Sequence, residues 1–392
     1  MNILNRISTE NTAQKIAEEL TKDTADTNGY DLGFLFISSA LNQDAIQELT
    51  QKIRQITKVK YLLACSCWGI IGPYREIEQQ AAASIILIQL PGVKVNPFYF
   101  DQDRLTQLNK SEDWYDFLDV YPNEKPVFFV LPDPFLVDIN QFLDGINKAY
   151  LQCPVLGGLA SGGAQSKENT LILNEKTYDE GLIGVYLTGN IQVDSIVSQG
   201  CRPLGKSYIV TKADRNIIYE LAGRPLYEVL LETIEKSSAE DQKLAQEAIL
   251  VGIAMNEYKH ELKRGDFLIR MLIGIDEKSG AAAISDYIHV GQTIQFHVRD
   301  SVSSTEDLNE LLLQHTAKTG ANAHAQAALI FSCNGRGKNL FKEKDHDITI
   351  IKKHVGAIPM AGFFCAGEIG PVGGRNFIHG FTSSIALFYS KT

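Results

Sequence analysis

The strongest restriction on how this chain can fold is a repeated order of elements. CPVLGGLASGG (153–163) and IPMAGFFCAGE (358–368) align with Pro154 on Pro359, Gly157 on Gly362, Ala160 on Cys365 and Gly162 on Gly367. VFFVLPDPF (127–135) precedes the first copy and ALIFSCNGRG (328–337) the second. An Asp-led helix follows each, from Asp138 to about Leu151 and from Asp347 to about Gly356. EGLIGVYLTG (180–189) and HGFTSSIALF (379–388) read as the closing strands. A fainter third copy has strand DLGFLFISSA (31–40) and an amphipathic helix from Asp44 to Ile56. YLLACSCWGIIG (61–72) and ASIILIQL (83–90) complete it. Each copy reads strand, loop, helix, strand, Gly-rich turn, strand. Such units bury one face of a sheet under helices, so the expected fold is α+β, with antiparallel or mixed sheets packed with helices in two internally repeated modules.

The connecting region reads as a hairpin over 207–221, a helix over 224–236 and strands at 248–255, 266–276, 281–290 and 293–300. These place the domains at 1–30 (an N-terminal helical extension), 31–220 and 221–392. A chain of 392 residues is long enough for about two domains.

Charge and cysteine usage narrow the function. The formal charge is −10 and no Lys/Arg run occurs, which argues against nucleic acid as a partner. The six cysteines form no CxxC, so neither a zinc site nor a disulfide framework is expected. MNILNRISTENTAQKIAEEL reads as a polar amphipathic helix rather than a signal peptide, and no apolar run approaches 18 residues. A soluble, cytoplasmic protein without membrane insertion is the expectation.

VSQGCRPLG, YELAGRPLYEVL, DFLIRMLIGID, VGQTIQFHVRD, ALIFSCNGRG and AGFFCAGEIGPVGGRNFIHGF resemble the hallmark stretches of FIST proteins. The resemblance covers a FIST N-terminal module over roughly 31–220 and a C-terminal one over about 222–372, leaving 1–28 outside. It implies a sensory module for small ligands, with amino acids and their derivatives proposed, and a signalling partner protein. With no fused effector in this chain, it implies a free-standing sensor. Some free-standing members are described as haem-binding nitric oxide sensors.

The residues suggest where a ligand would sit. Arg375 offers bidentate recognition of a carboxylate and Glu368 could hold an amine, which together suit a zwitterion. Alternatively, the two bond to each other or to loop backbone and hold the turn. Asn376 belongs to the same loop. Asn334 and Arg336, in the turn after ALIFSC, would face the same pocket if the two strand ends are adjacent. Cys365 reads as a pocket residue or as a buried small hydrophobe. The Gly-rich turns are expected to converge at the module interface. The expected function is non-enzymatic binding with no cofactor. Alternatives are a haem-bound nitric oxide sensor, for which any of eight histidines could supply the axial ligand, and a hydrolase using Cys365 with His379 or Glu368.

Overall fold

The computed structural model describes residues 1–22, 24, 29–319 and 324–391. These fall into two compact units. The first is Met1–Val197 with Asn309–Ile378 and Thr382–Thr392; the second is Ser198–Leu308 with His379–Phe381. The linear boundary near residue 220 therefore lies inside the second unit. The last strands of the chain return to the first unit because their pairing partners are there.

The first unit repeats one order of elements. The first copy runs β1 (Ile3–Ser8), α1 (Ala13–Leu20), β2 (Leu32–Ser38), α2 (Gln43–Thr57), β3 (Tyr61–Cys67), a hairpin of β4 (Gly69–Ile71) and β5 (Glu76–Glu78), and β6 (Ala83–Ile88). The second runs β7 (Val93–Phe100), α3 (Gln102–Gln107), α4 (Ser111–Leu118), β8 (Val127–Pro132), α5 (Ile139–Ala149), β9 (Val155–Gly158), the hairpin β10 (Leu171–Leu173) and β11 (Lys176–Tyr178), and β12 (Leu182–Gly189). The third begins with β13 (Ile191–Ser198) and is interrupted by the second unit. That insertion holds β14 (Cys201–Asp214), β15 (Ile217–Leu221), β16 (Arg224–Pro225), α6 (Leu226–Glu235), α7 (Ala239–Glu247), β17 (Leu250–Ala254), β18 (Phe267–Asp276), β19 (Ala281–Ile284) and β20 (Thr293–Arg299). The third copy resumes with α8 (Ser301–Thr319), β21 (Ala327–Cys333), α9 (Lys338–Phe341), α10 (His346–Val355) and β22 (Met360–Cys365). The hairpin β23 (Glu368–Val372) and β24 (Arg375–His379) follows, then β25 (Ser383–Ser390).

The sheets show a cyclic exchange. Their orders are β1-β6-β2-β3-β10-β11, β7-β12-β8-β9-β23-β24 and β13-β25-β21-β22-β4-β5. Each copy builds four strands of its own sheet and lends its hairpin to another. The first hairpin extends the third sheet, the second the first, and the third the second. In each copy the middle pair, β2–β3, β8–β9 or β21–β22, is parallel with a helix crossing over.

The aligned glycines have one physical cause. Gly157 lies opposite Val130 and Gly362 opposite Ile330 on the neighbouring parallel strand. A Cβ at Gly157 would stand 2.0 Å from the Val130 carbonyl oxygen, and at Gly362 1.9 Å from that of Ile330. The inner faces of the three sheets share one core. Phe36 stacks on Phe363 with centroids 5.0 Å apart, and Phe129 meets Phe34 at 5.7 Å and Phe388 at 5.3 Å.

Two local expectations change. The first residues form a strand before the helix: Ile3–Ser8 pairs antiparallel with β6, and only then does Thr12 cap α1 through Lys15 N–H. Asp347 does not cap α10; the N-cap is Asp345, and the Asp347 side chain is buried. The second unit is a seven-stranded sheet, β14-β20-β17-β18-β19-β15-β16, with Val229 and Leu230 of α6 buried in the same core as Val251 and Phe296.

Candidate functional site

The Gly-rich turns converge on one another inside the first unit. Ser161 N–H donates to the Ser66 carbonyl at 3.3 Å, and Leu159 N–H to the Gly367 carbonyl at 2.9 Å. The Ser161 hydroxyl donates to the Phe364 carbonyl at 2.5 Å and accepts from Trp68 N–H at 2.9 Å. These contacts join the ends of β3, β9 and β22 into a closed polar seam.

The turn after β21 is a highly charged buried place in this unit. Arg336 is wholly buried and grips Asp347 with two bonds, Nε to Oδ2 at 2.7 Å and Nη2 to Oδ1 at 2.8 Å. Ser332 Oγ donates to Asp347 Oδ2 at 3.1 Å, and His346 Nδ1 lies 2.9 Å from Oδ1. Burial opposes ionisation of Asp347, yet Arg336 and His346 hold its carboxyl well below the usual carboxylate range. Glu76 sits beside them, and burial first, then the Asp347 charge, pushes its carboxyl up to about 8. Asn334 donates its backbone N–H to the Cys365 carbonyl at 3.0 Å. So Asn334 and Arg336 do sit at the adjoining strand ends, but Arg336 is committed to Asp347. No local spacing in the sequence joins Glu76 to His346 and Asp347, and Asp347 reads there only as the start of a helix.

The hairpin β23–β24 separates the other expected ligand residues. Glu368 is fully buried at the start of β23, and its Oε2 accepts from Thr382 N–H at 3.0 Å and from the Thr382 hydroxyl at 2.6 Å. Arg375 lies at the opposite end of the hairpin, about 13 Å along at 3.3 Å per residue. It is exposed, with Nη2 3.7 Å from Asp144 Oδ1 and its guanidinium over the Phe377 ring. The two therefore form no joint zwitterion clamp. Asn376 is a structural tie: its Oδ1 accepts from Val155 N–H at 2.8 Å, and its Nδ2 donates to Cys153 O at 2.9 Å and to Asn147 Oδ1 at 3.0 Å.

Cys365 is sealed in the shared core, where burial and then the Glu368 charge push its thiol well above the usual range. Its thiol donates to the Phe363 carbonyl at 3.5 Å. That is the environment of an inert thiol.

An open cavity of about 580 Å³ lies between α3, α4 and α5. Leu105 and Trp114 are buried at its base, where Gly145 lets α5 approach the indole; a Cβ there would meet Trp114 Cζ2 at 2.1 Å. Its rim carries Lys110 and Lys148 beside Asp138 and Asp144. Asp144 is also the neighbour of Arg375, so one of the expected ligand residues reaches this rim. Neither this cavity nor a second of about 550 Å³ beside β1 is lined by a histidine. Among the described residues no group of three or more His, Cys, Asp or Glu side chains is arranged to hold a metal ion.

Comparison with known proteins covers almost the whole chain. Residues 31–224 match the FIST N domain and residues 226–371 the FIST C domain. An uncharacterized protein of Mycobacterium tuberculosis is 36% identical over 354 residues, 90% of each chain. An uncharacterized protein of Methanocaldococcus jannaschii is 24% identical over 255 residues, 63% of this chain and 47% of that one. The crystal structure of cyanuric acid hydrolase from A. caulinodans aligns over 100% of both chains at 8% identity, with a TM-score of 0.37, too low to carry an argument.

Proposed function

The chain belongs to the FIST family, whose domains serve as sensory modules in signalling, and we propose that it binds a small zwitterionic metabolite, an amino acid or a close relative, in the groove between α3, α4 and α5. The observation that carries this reading is the rim, where two lysines and two aspartates stand over a buried aromatic base. Volumes of ≈ 300–1,000 Å³ suit small ligands. Lys110 and Lys148 offer partners to a carboxylate, and Asp138 and Asp144 to an ammonium group.

The sensing step follows from where those residues sit. Lys110 is the residue at the N-cap position of α4, while Asp144 and Lys148 lie on α5. A ligand touching both helices favours one spacing between them, and that differential contact is what shifts a conformational population. A partner protein would read the change. The reading involves no reaction and no cofactor, and it places the protein in the cytoplasm. No described helix is long and apolar enough to cross a membrane.

The test is a thermal-shift panel of amino acids and polar metabolites on the full chain. A ligand at a hundredfold excess over its Kd adds about 2.7 kcal/mol of stability. Stabilisation by at least one zwitterion, abolished in an Asp144→Ala, Lys148→Ala double variant, is the expected outcome. A panel without effect, or a ligand indifferent to both substitutions, overturns the reading.

A further inference from the structure

We propose that the buried carboxyl pair Glu76 and Asp347 is a proton-operated latch that fastens the exchanged hairpin of the first repeat onto the α9–α10 segment of the third. The hairpin β4–β5 leaves its own sheet and pairs with β22 through Gly69, Ile70 and Ile71. Beyond that short ladder, carboxylates make the hydrogen bonds that hold it. Glu76 N–H donates to Asp345 Oδ1 at 2.6 Å, and Glu76 Oε1 accepts from Ile348 N–H at 3.0 Å. Glu78 Oε1 accepts from Lys338 N–H at 3.1 Å.

The charges around Glu76 decide how the latch works. From α10 it faces Asp347, with His346 on that carboxylate; from the α10 N-cap it faces Asp345; from the β21 turn it faces Arg336. On its own strand it is followed by Glu78, and on its own hairpin Arg75 lies over the Tyr74 ring. Arg336 spends Nε and Nη2 on Asp347, and its buried Nη1 has no hydrogen-bond partner among the described residues. One guanidinium balances one carboxylate. With Glu76 protonated, the trio with Asp347 and Arg336 is neutral and the hairpin stays seated. Loss of that proton leaves a second negative charge in a buried site, and lifting the hairpin into solvent relieves it.

The sign follows from linkage. Glu76 titrates near 4.5 when unfolded and near 8 when folded, so the folded state holds the extra proton between those values. The stabilisation is complete below about 4.5 and is lost as pH rises to about 8. The hold on the hairpin therefore weakens as pH rises through this window and is weakest above about 8.

Hydrogen exchange of the full chain tests it, at pH values about 1.5 units either side of the midpoint and corrected for intrinsic exchange. We expect β4–β5 and the first turn of α10 to lose protection at least tenfold from the lower to the higher pH. The β10–β11 hairpin is the internal control and should keep its protection. Glu76→Gln should abolish the step. Equal protection of β4–β5 at both pH values, or an undiminished step in Glu76→Gln, overturns the latch. Carboxyl ¹³C titration of the unaltered protein keeps the test decisive if the variant does not fold. It should find one glutamate with a midpoint near 8, and finding every glutamate titrating in the ordinary acid range is the contrary result.

Discussion

Arg336 and Asp347 face each other across the start of α10 as a two-pronged ion pair, with neither side chain reaching solvent. Eleven positions apart in the chain, they close the segment between β21 and α10 on itself. Such pairs contribute little net stability when intact, but the surviving charge is costly when one partner is removed.

Arg336→Met should therefore destabilise the protein by about 3–5 kcal/mol in urea unfolding, because Asp347 would remain charged and buried. The double variant Arg336→Met, Asp347→Leu should recover most of that loss. A double variant as unstable as the single one would contradict this account of the pair.

The aligned glycines make a sharper packing prediction. Gly157→Ala and Gly362→Ala each force a methyl group into a main-chain carbonyl that cannot move without breaking a parallel ladder. Each should cost about 3 kcal/mol or more. Gly274→Ala, where nothing lies within 4 Å of the added carbon, should change stability by no more than about 0.5 kcal/mol.

Neighbouring residues in the last hairpin should respond in opposite ways. Asn376→Ala removes bonds to Val155, Cys153 and Asn147 and leaves their groups unpaired, at about 2–3 kcal/mol. Arg375→Ala gives up an exposed contact with Asp144 and the stacking of its guanidinium on Phe377, and should change stability by no more than about 1 kcal/mol. Chemical denaturation of the two variants side by side decides the point.

These contrasts show where the sequence was legible. The repeat could be read because Gly157 and Gly362 answer the same carbonyl clash at the same register. The α+β class followed from that order of elements. The hairpin exchange could not be read, since GII and EIE are too short to specify which sheet they join. The strand at Ile3–Ser8 was hidden because its partner, β6, lies some eighty residues away. Asp347 looked like a helix cap, yet its side chain turns inward to a cation, and no local pattern distinguishes the two uses. Glu76 and Glu78 lie in a polar stretch that no motif marks as buried. The groove joins residues of three helices that share no motif, so only the packing of Gly145 on Trp114 revealed it.

The second unit carries its own pH dependence. His297 is buried, with Nδ1 3.0 Å from the Gln295 carbonyl and its ring edge-on to Phe267, and burial pushes its imidazole down to about 4. The unfolded chain binds a proton there from about 6.5 downward, so the unfolded state holds more protons between about 6.5 and 4. Stability is full above that window and should fall, as pH drops through it, by up to about 1.4 kcal/mol per pH unit. His297→Phe should flatten this slope in acid denaturation of the second unit followed by hydrogen exchange. An unchanged slope would place the acid sensitivity elsewhere.

The most direct test of the proposed function is a crystal structure of the full chain with the zwitterion that stabilises it most. The account predicts the ligand between α4 and α5, its carboxylate at Lys110 or Lys148 and its ammonium group at Asp138 or Asp144. A ligand bound elsewhere on the protein would contradict it.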